Sequence, residues 1–65
     1  MCESAVYLVK GSERTLVMQE AAKVLVTTEG VVCIDTLGER RTVPGAELAE
    51  ADLMRHEITL RPREG

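Results

Sequence analysis

Short apolar runs, each broken by a turn cluster, set the rhythm of this chain, and that rhythm is one of short β-strands. Residues 5–9 are apolar throughout, with Tyr7 at the centre, and Lys10-Gly11-Ser12-Glu13 follows as a turn cluster. Residues 14–19 resume with Thr15, Leu16, Val17 and Met18. In residues 23–28 alternation sends Val24 and Val26 to one face and Lys23, Leu25 and Thr27 to the other. Glu29-Gly30 is a hairpin signal, because glycine supplies the positive φ of a tight turn. Residues 31–36 read as the next strand, Leu37-Gly38-Glu39 as a turn and residues 40–43 as extended, until Pro44-Gly45 stops them. In residues 57–61, Ile58 and Leu60 alternate with Glu57, Thr59 and Arg61, and Pro62 ends the run.

Two stretches resist this reading. Glu20-Ala21-Ala22 are helix formers, but three residues cannot nucleate a helix. Residues 46–54 are rich in Ala, Glu and Leu and favour helix by propensity, while their spacing fits helical periodicity only loosely. Strand and helix stay open there. The pattern as a whole predicts an all-β fold: a small barrel or rolled antiparallel sheet of about six short strands, in a single domain over residues 1–65.

Several of these strands are apolar on both faces. Ala5, Tyr7 and Val9 oppose Val6 and Leu8, and Leu16 and Met18 oppose Val17. An antiparallel sheet with one wet face alternates more cleanly. A chain of 65 residues buries only about 60% of its unfolded surface, so it cannot cover both faces alone. A two-fold homodimer is the expected remedy, and a docking patch for a larger partner is the rival one. Composition sharpens the picture: Phe and Trp are absent and Tyr7 is the sole aromatic, so the core must be aliphatic. The net charge of −3 argues against a partner held through phosphates. No apolar run is long enough to span a membrane, and no signal segment is visible. With two cysteines and no disulfide framework, the chain reads as cytoplasmic.

The candidate chemistry lies at the start. Cys2 precedes the first strand, where nothing before it could bury a thiol. On a dimer whose axis passes near the N-termini, two Cys2 thiolates and two nitrogens make a planar N/S set that suits nickel(II) or copper(II) better than zinc. Ligation requires loss of the thiol proton, so binding weakens as pH falls. A Met-Cys start is only a two-residue pattern, and a terminal Cys without a role is the commoner case. Cys33 has no C-x-x-C partner and reads as a strand cysteine, packed in an interface or half-buried. His56, the only histidine, falls in the turn Met54-Arg55-His56-Glu57 and reads as a solvated residue, with a Cys2 plus His56 metal site as the minority version. Catalysis finds no support: the carboxylates are dispersed, and neither a phosphate loop nor a dinucleotide fingerprint is present. Arg40, Arg41, Arg55, Arg61 and Arg63 could form a basic patch, yet RNA readers add stacking aromatics, and only Tyr7 is available.

Met1-Cys2 ahead of a strand, the Thr36-Leu37-Gly38-Glu39 turn, the Pro44-Gly45 break and the closing Asp52-Leu53 with Ile58-Thr59-Leu60 together resemble the CooT family, over nearly the whole chain. The resemblance implies a compact β-barrel homodimer that binds nickel(II) near its N-terminal cysteines and assists maturation of the nickel-containing carbon monoxide dehydrogenase. The family's ligand maps onto Cys2. Cys33 and His56 lie outside the family pattern, as neutral residues or added donors. HypC-type chaperones share the Met-Cys start but usually carry a Pro soon after it, where Glu3, Ser4, Ala5 and Val6 stand here. The expectation is a non-enzymatic nickel accessory protein whose homodimer holds one ion through Cys2 of each chain. The N-terminal amine or the Cys2 amide donates nitrogen, depending on whether Met1 is removed. The alternatives are a metal-free interaction module and an RNA-binding barrel.

Overall fold

A computed structural model describes residues 2–64 and contains every expected strand, two of them fused into one. The elements are β1 (Ser4–Lys10), β2 (Glu13–Thr27), β3 (Gly30–Asp35), β4 (Arg40–Pro44), β5 (Ala46–Asp52) and β6 (Glu57–Pro62). They form one sheet in the order β4-β3-β2-β1-β6-β5. All neighbours are antiparallel except β1 and β6, which run parallel in the register Ala5↔Glu57 to Leu8↔Leu60. The sheet is therefore rolled as the pattern predicts, but not antiparallel throughout.

The roll originates in β2. A straight strand of 15 residues would run about 50 Å at 3.3 Å per residue, whereas the longest dimension of the whole chain is 36 Å. The strand must bend, and the register shows where. From Ser4↔Ala21 to Tyr7↔Leu16, β1 advances by three residues (4 to 7) and β2 by five (16 to 21). A further residue of β2 is extra against β3, between Ala21↔Asp35 and Lys23↔Ile34. Such bulges bend a strand and add twist. The first half of β2 thus pairs with β1 and the second half with β3, and Glu20-Ala21-Ala22 is the bend rather than a break. Ala21 is buried there, where a larger side chain would hold the two halves apart.

Inside the roll lie Val6, Ala21, Val31, Cys33, Ala46, Ile58 and Leu60, with Leu8, Val17, Met18, Val24 and Val43 packed against them. The core is aliphatic, as composition requires. Residues 46–52 are strand: β5 pairs with β6 from Ala46↔Pro62 to Asp52↔Glu57 and places Ala46 in the core. Helix propensity loses here because a segment of seven residues gains little from it, whereas pairing with β6 satisfies the backbone and seats Ala46 in the core.

A seam joins the two edges of the sheet. β4 and β5 are consecutive in sequence yet lie at opposite edges, so the chain must cross between them at Gly45. The Gly45 N–H donates to the Glu29 carbonyl at 2.8 Å, and the Gly45 carbonyl accepts from the Arg63 N–H at 2.7 Å. One residue thereby extends both ladders, in a left-handed conformation (φ 69°) that glycine adopts without strain. The Arg63 guanidinium reinforces the seam by donating to the carbonyls of Thr28 (2.8 Å) and Thr27 (3.0 Å). Gly30 lies directly beneath it. A Cβ there would sit 2.9 Å from Pro44 Cα and closer still to the Val43 carbonyl oxygen.

Candidate metal centre

Register places the N-terminus at the middle of one rim. Asp35 of β3 pairs with Ala21 of β2, Ala21 with Ser4 of β1, Ala5 with Glu57 of β6, and Glu57 with Asp52 of β5. Cys2 leaves the sheet two residues before Ser4 and is exposed. Nothing buries its thiol, as the sequence leads one to expect. Met1 lies outside the described residues, and with it the choice between amine and amide donation.

Two turns hang from the same rim. Asp35 organises the first: its carboxylate Oδ1 accepts from the N–H groups of Leu37 and Glu39, both at 2.9 Å, and its carbonyl accepts from Gly38 N–H at 3.0 Å. Asp52 begins the second, accepting from Arg55 N–H at 3.1 Å. That turn closes onto the N-terminal segment, because the His56 carbonyl accepts from the Ala5 N–H at 2.9 Å. His56 adopts φ 55°, the left-handed conformation rare outside glycine. The backbone of the sole histidine is thus tied to the residue three positions after Cys2, and its side chain is exposed. An exposed thiol and an exposed imidazole share the middle of the rim, one on a free segment and one on a tied turn.

The tips of these turns are large and apolar. Leu37 is 85% exposed, Leu53 75% and Met54 91%. Turn tips ordinarily carry Gly, Asn, Asp, Ser or Pro, and that contrast is the signal by which sequence reading could have found them.

The other candidates fall elsewhere. Cys33 lies in the core beside Val31, completely buried in a single chain rather than half-buried, and burial pushes its thiol pKa up. A buried neutral thiol of this kind is a packing residue. Both cysteines are free. The arginines do not form one patch. Arg41 donates to the Val17 carbonyl at 3.3 Å, Arg61 pairs with Glu47 at 2.7 Å, Arg63 holds the seam, and Arg55 sits in the rim turn. Tyr7 is covered by the Arg14 guanidinium, 3.7 Å from the ring centroid, and Arg14 also reaches Glu57 at 3.6 Å. That face of the ring is not free to stack on a base. Among the described residues, no three or more His, Cys, Asp or Glu side chains gather as a metal-holding group. One rim offers part of a donor set, and among the described residues no helix is long and apolar enough to cross a membrane.

Comparison with known proteins agrees with this architecture. The family model described as CO dehydrogenase accessory protein CooT matches residues 1–61. A crystal structure assigned to CooT of Carboxydothermus hydrogenoformans superimposes with a TM-score of 0.84 at 25% identity, covering 97% of this chain and 100% of that one. No curated protein matches the chain. The family match spans nearly the whole sequence, and the chain belongs to the CooT family of CO dehydrogenase accessory proteins.

Proposed function

We propose that this protein is a nickel(II)-binding accessory protein, not an enzyme, which acts in the cytoplasm as a homodimer and holds one ion between the Cys2 residues of its two chains. The ion is cargo, delivered to or buffered for a nickel enzyme such as carbon monoxide dehydrogenase. The observation that carries this reading is the rim itself: an exposed thiol ahead of β1, an exposed histidine whose backbone carbonyl is tied to Ala5, and apolar tips that one chain leaves in water. A thiolate with nitrogen donors suits a tetragonal divalent ion. Burying Leu37, Leu53 and Met54 against a second copy would supply the apolar area that association needs, and a two-fold axis through the rim would bring both Cys2 thiolates to one ion. His56 is a second donor in this reading, its backbone held near the N-terminal segment by the bond from Ala5 N–H to its carbonyl.

Nickel titration tests the reading. The wild-type protein should develop thiolate-to-nickel charge-transfer absorption that saturates at one ion per two chains. Cys2→Ser should lose the absorption, and His56→Ala should weaken binding while keeping it. An unchanged spectrum and affinity in Cys2→Ser would end the proposal.

A further inference from the structure

The edge of the sheet next to the rim has the features of a strand-docking site. Among the described residues β4 pairs only with β3, and its other side carries no strand. The phase of the ladder follows from two bonds, Asp35 N–H to the Glu39 carbonyl and Gly45 N–H to the Glu29 carbonyl. Residues 39, 41, 43 and 45 therefore face β3, and the backbone groups of Arg40, Thr42 and Pro44 point away from it. Pro44 has no N–H to offer, so the open donors of this strand are those of Arg40 and Thr42. The free edge begins beside the rim and is blunted at the seam.

The outer face behind that edge is apolar at its centre and basic at its sides. Along one cross-strand row lie Lys23, Ile34 and Arg40, and along the next Leu25, Val32 and Thr42. Ile34 and Val32 are only partly buried, and Leu25 is 42% exposed. Lys23 and Arg40 are exposed, and neither takes part in an ion pair among the described residues. This local pair of cations favours an acidic occupant at this face, although the chain as a whole carries a net charge of −3.

We propose that this edge and face receive an extended acidic segment of a client protein as an added strand. Its backbone pairs with Arg40 and Thr42, its apolar residues lie over Ile34, Val32 and Leu25, and its carboxylates meet Lys23 and Arg40. Strand addition takes affinity from main-chain bonds and specificity from alternate side chains. The inference rests on the reading of the protein as an accessory factor, and it places client docking next to the turn that carries Leu37. The acidic β5 edge of a second copy is a poorer occupant. Its register shifts between Leu48 and Glu50, which interrupts the edge, and a head-to-tail contact of that kind does not close on itself.

The test uses the full chain in solution, with a short acetylated peptide alternating glutamate and valine as probe and its lysine–valine counterpart as control. Amide resonances of residues 40–43 should shift with the acidic peptide, and binding should weaken as salt rises. The double variant Lys23→Glu/Arg40→Glu should bind about tenfold more weakly, as loss of two surface ion pairs implies. Equal binding of both peptides, shifts confined to the rim, or no shifts at all would overturn the proposal. Shifts that follow the protein's own concentration without peptide would assign the edge to a second copy instead. Nickel titration of the same samples separates the two readings, since neither substitution touches Cys2 or His56.

Discussion

The seam and the rim are both places where the chain leaves the sheet, yet their side chains are used in opposite ways. At the seam, Gly45 continues two ladders, Arg63 caps two carbonyls of the β2–β3 hairpin, and Gly30 lets the backbones close up without a side chain between them. Every feature there is spent on closing the roll. At the rim, backbone order is just as good, because Asp35 and Asp52 hold their turns and His56 grips Ala5. The side chains, however, face outward: Leu37, Leu53, Met54 and the Cys2 thiol are all in water. The difference teaches that order and burial are separable. A loop can be fixed by its own backbone bonds while its side chains stay free for another molecule.

Substitutions can break this comparison, and the largest effect is expected at the seam. Gly30→Ala drives a methyl into the Val43–Pro44 backbone and should cost roughly 2–3 kcal/mol, the upper part of the range for an overpacked site. The urea midpoint measures it, and a loss below about half that figure would mean that the seam yields easily. Gly45→Ala meets no neighbouring atom but retains a positive φ, so about 1 kcal/mol should be lost to strain alone. Arg63→Ala forfeits two exposed bonds and should cost less, on the order of 0.5–1 kcal/mol.

At the rim the sign of the comparison reverses. Leu53→Ser/Met54→Ser should leave monomer stability within about 0.5 kcal/mol, since neither side chain is buried. Sedimentation should nevertheless shift toward a single chain. An unaltered sedimentation coefficient, dimeric in both proteins, would move the subunit contact away from these tips.

The smallest effect concerns pH and Cys33. Burial raises the folded thiol pKa above its unfolded value, so the folded state holds the proton more tightly. The stabilising contribution is complete below the unfolded value of about 8.5 and is lost as pH rises through the folded pKa. Urea midpoints taken on the alkaline side should fall more steeply for the wild type than for Cys33→Ala. Parallel slopes would show that the thiol does not report on this core.

Much of the fold was legible because period-two alternation is local. Ile58 and Leu60 against Thr59 declare their face within a few residues, and both are buried as the alternation predicts. Residues 31–34, by contrast, are apolar on both faces, and only packing selects Val31 and Cys33 for the core. The seven residues of β5 were not legible, since Ala, Glu and Leu favour helix and only pairing with β6 overrides them. Nor was the continuity of β2, whose bulges depend on partners on both sides. In the candidate site, Cys2 stood out by its position alone. His56 read as an ordinary solvated turn residue, because its bond to Ala5 joins positions 51 residues apart (56 − 5).

A small aliphatic β-fold, the positions of its turns and a thiol just ahead of the first strand follow from the amino-acid sequence alone. These properties depend on neighbours along the chain: side-chain alternation, glycine and proline at breaks, and composition. Only the tertiary structure decided that β1 and β6 run parallel, that one glycine joins the two edges, and that imidazole, thiol and apolar tips share a rim. Those facts depend on register between distant strands, where a shift of one residue would turn every side chain to the other face.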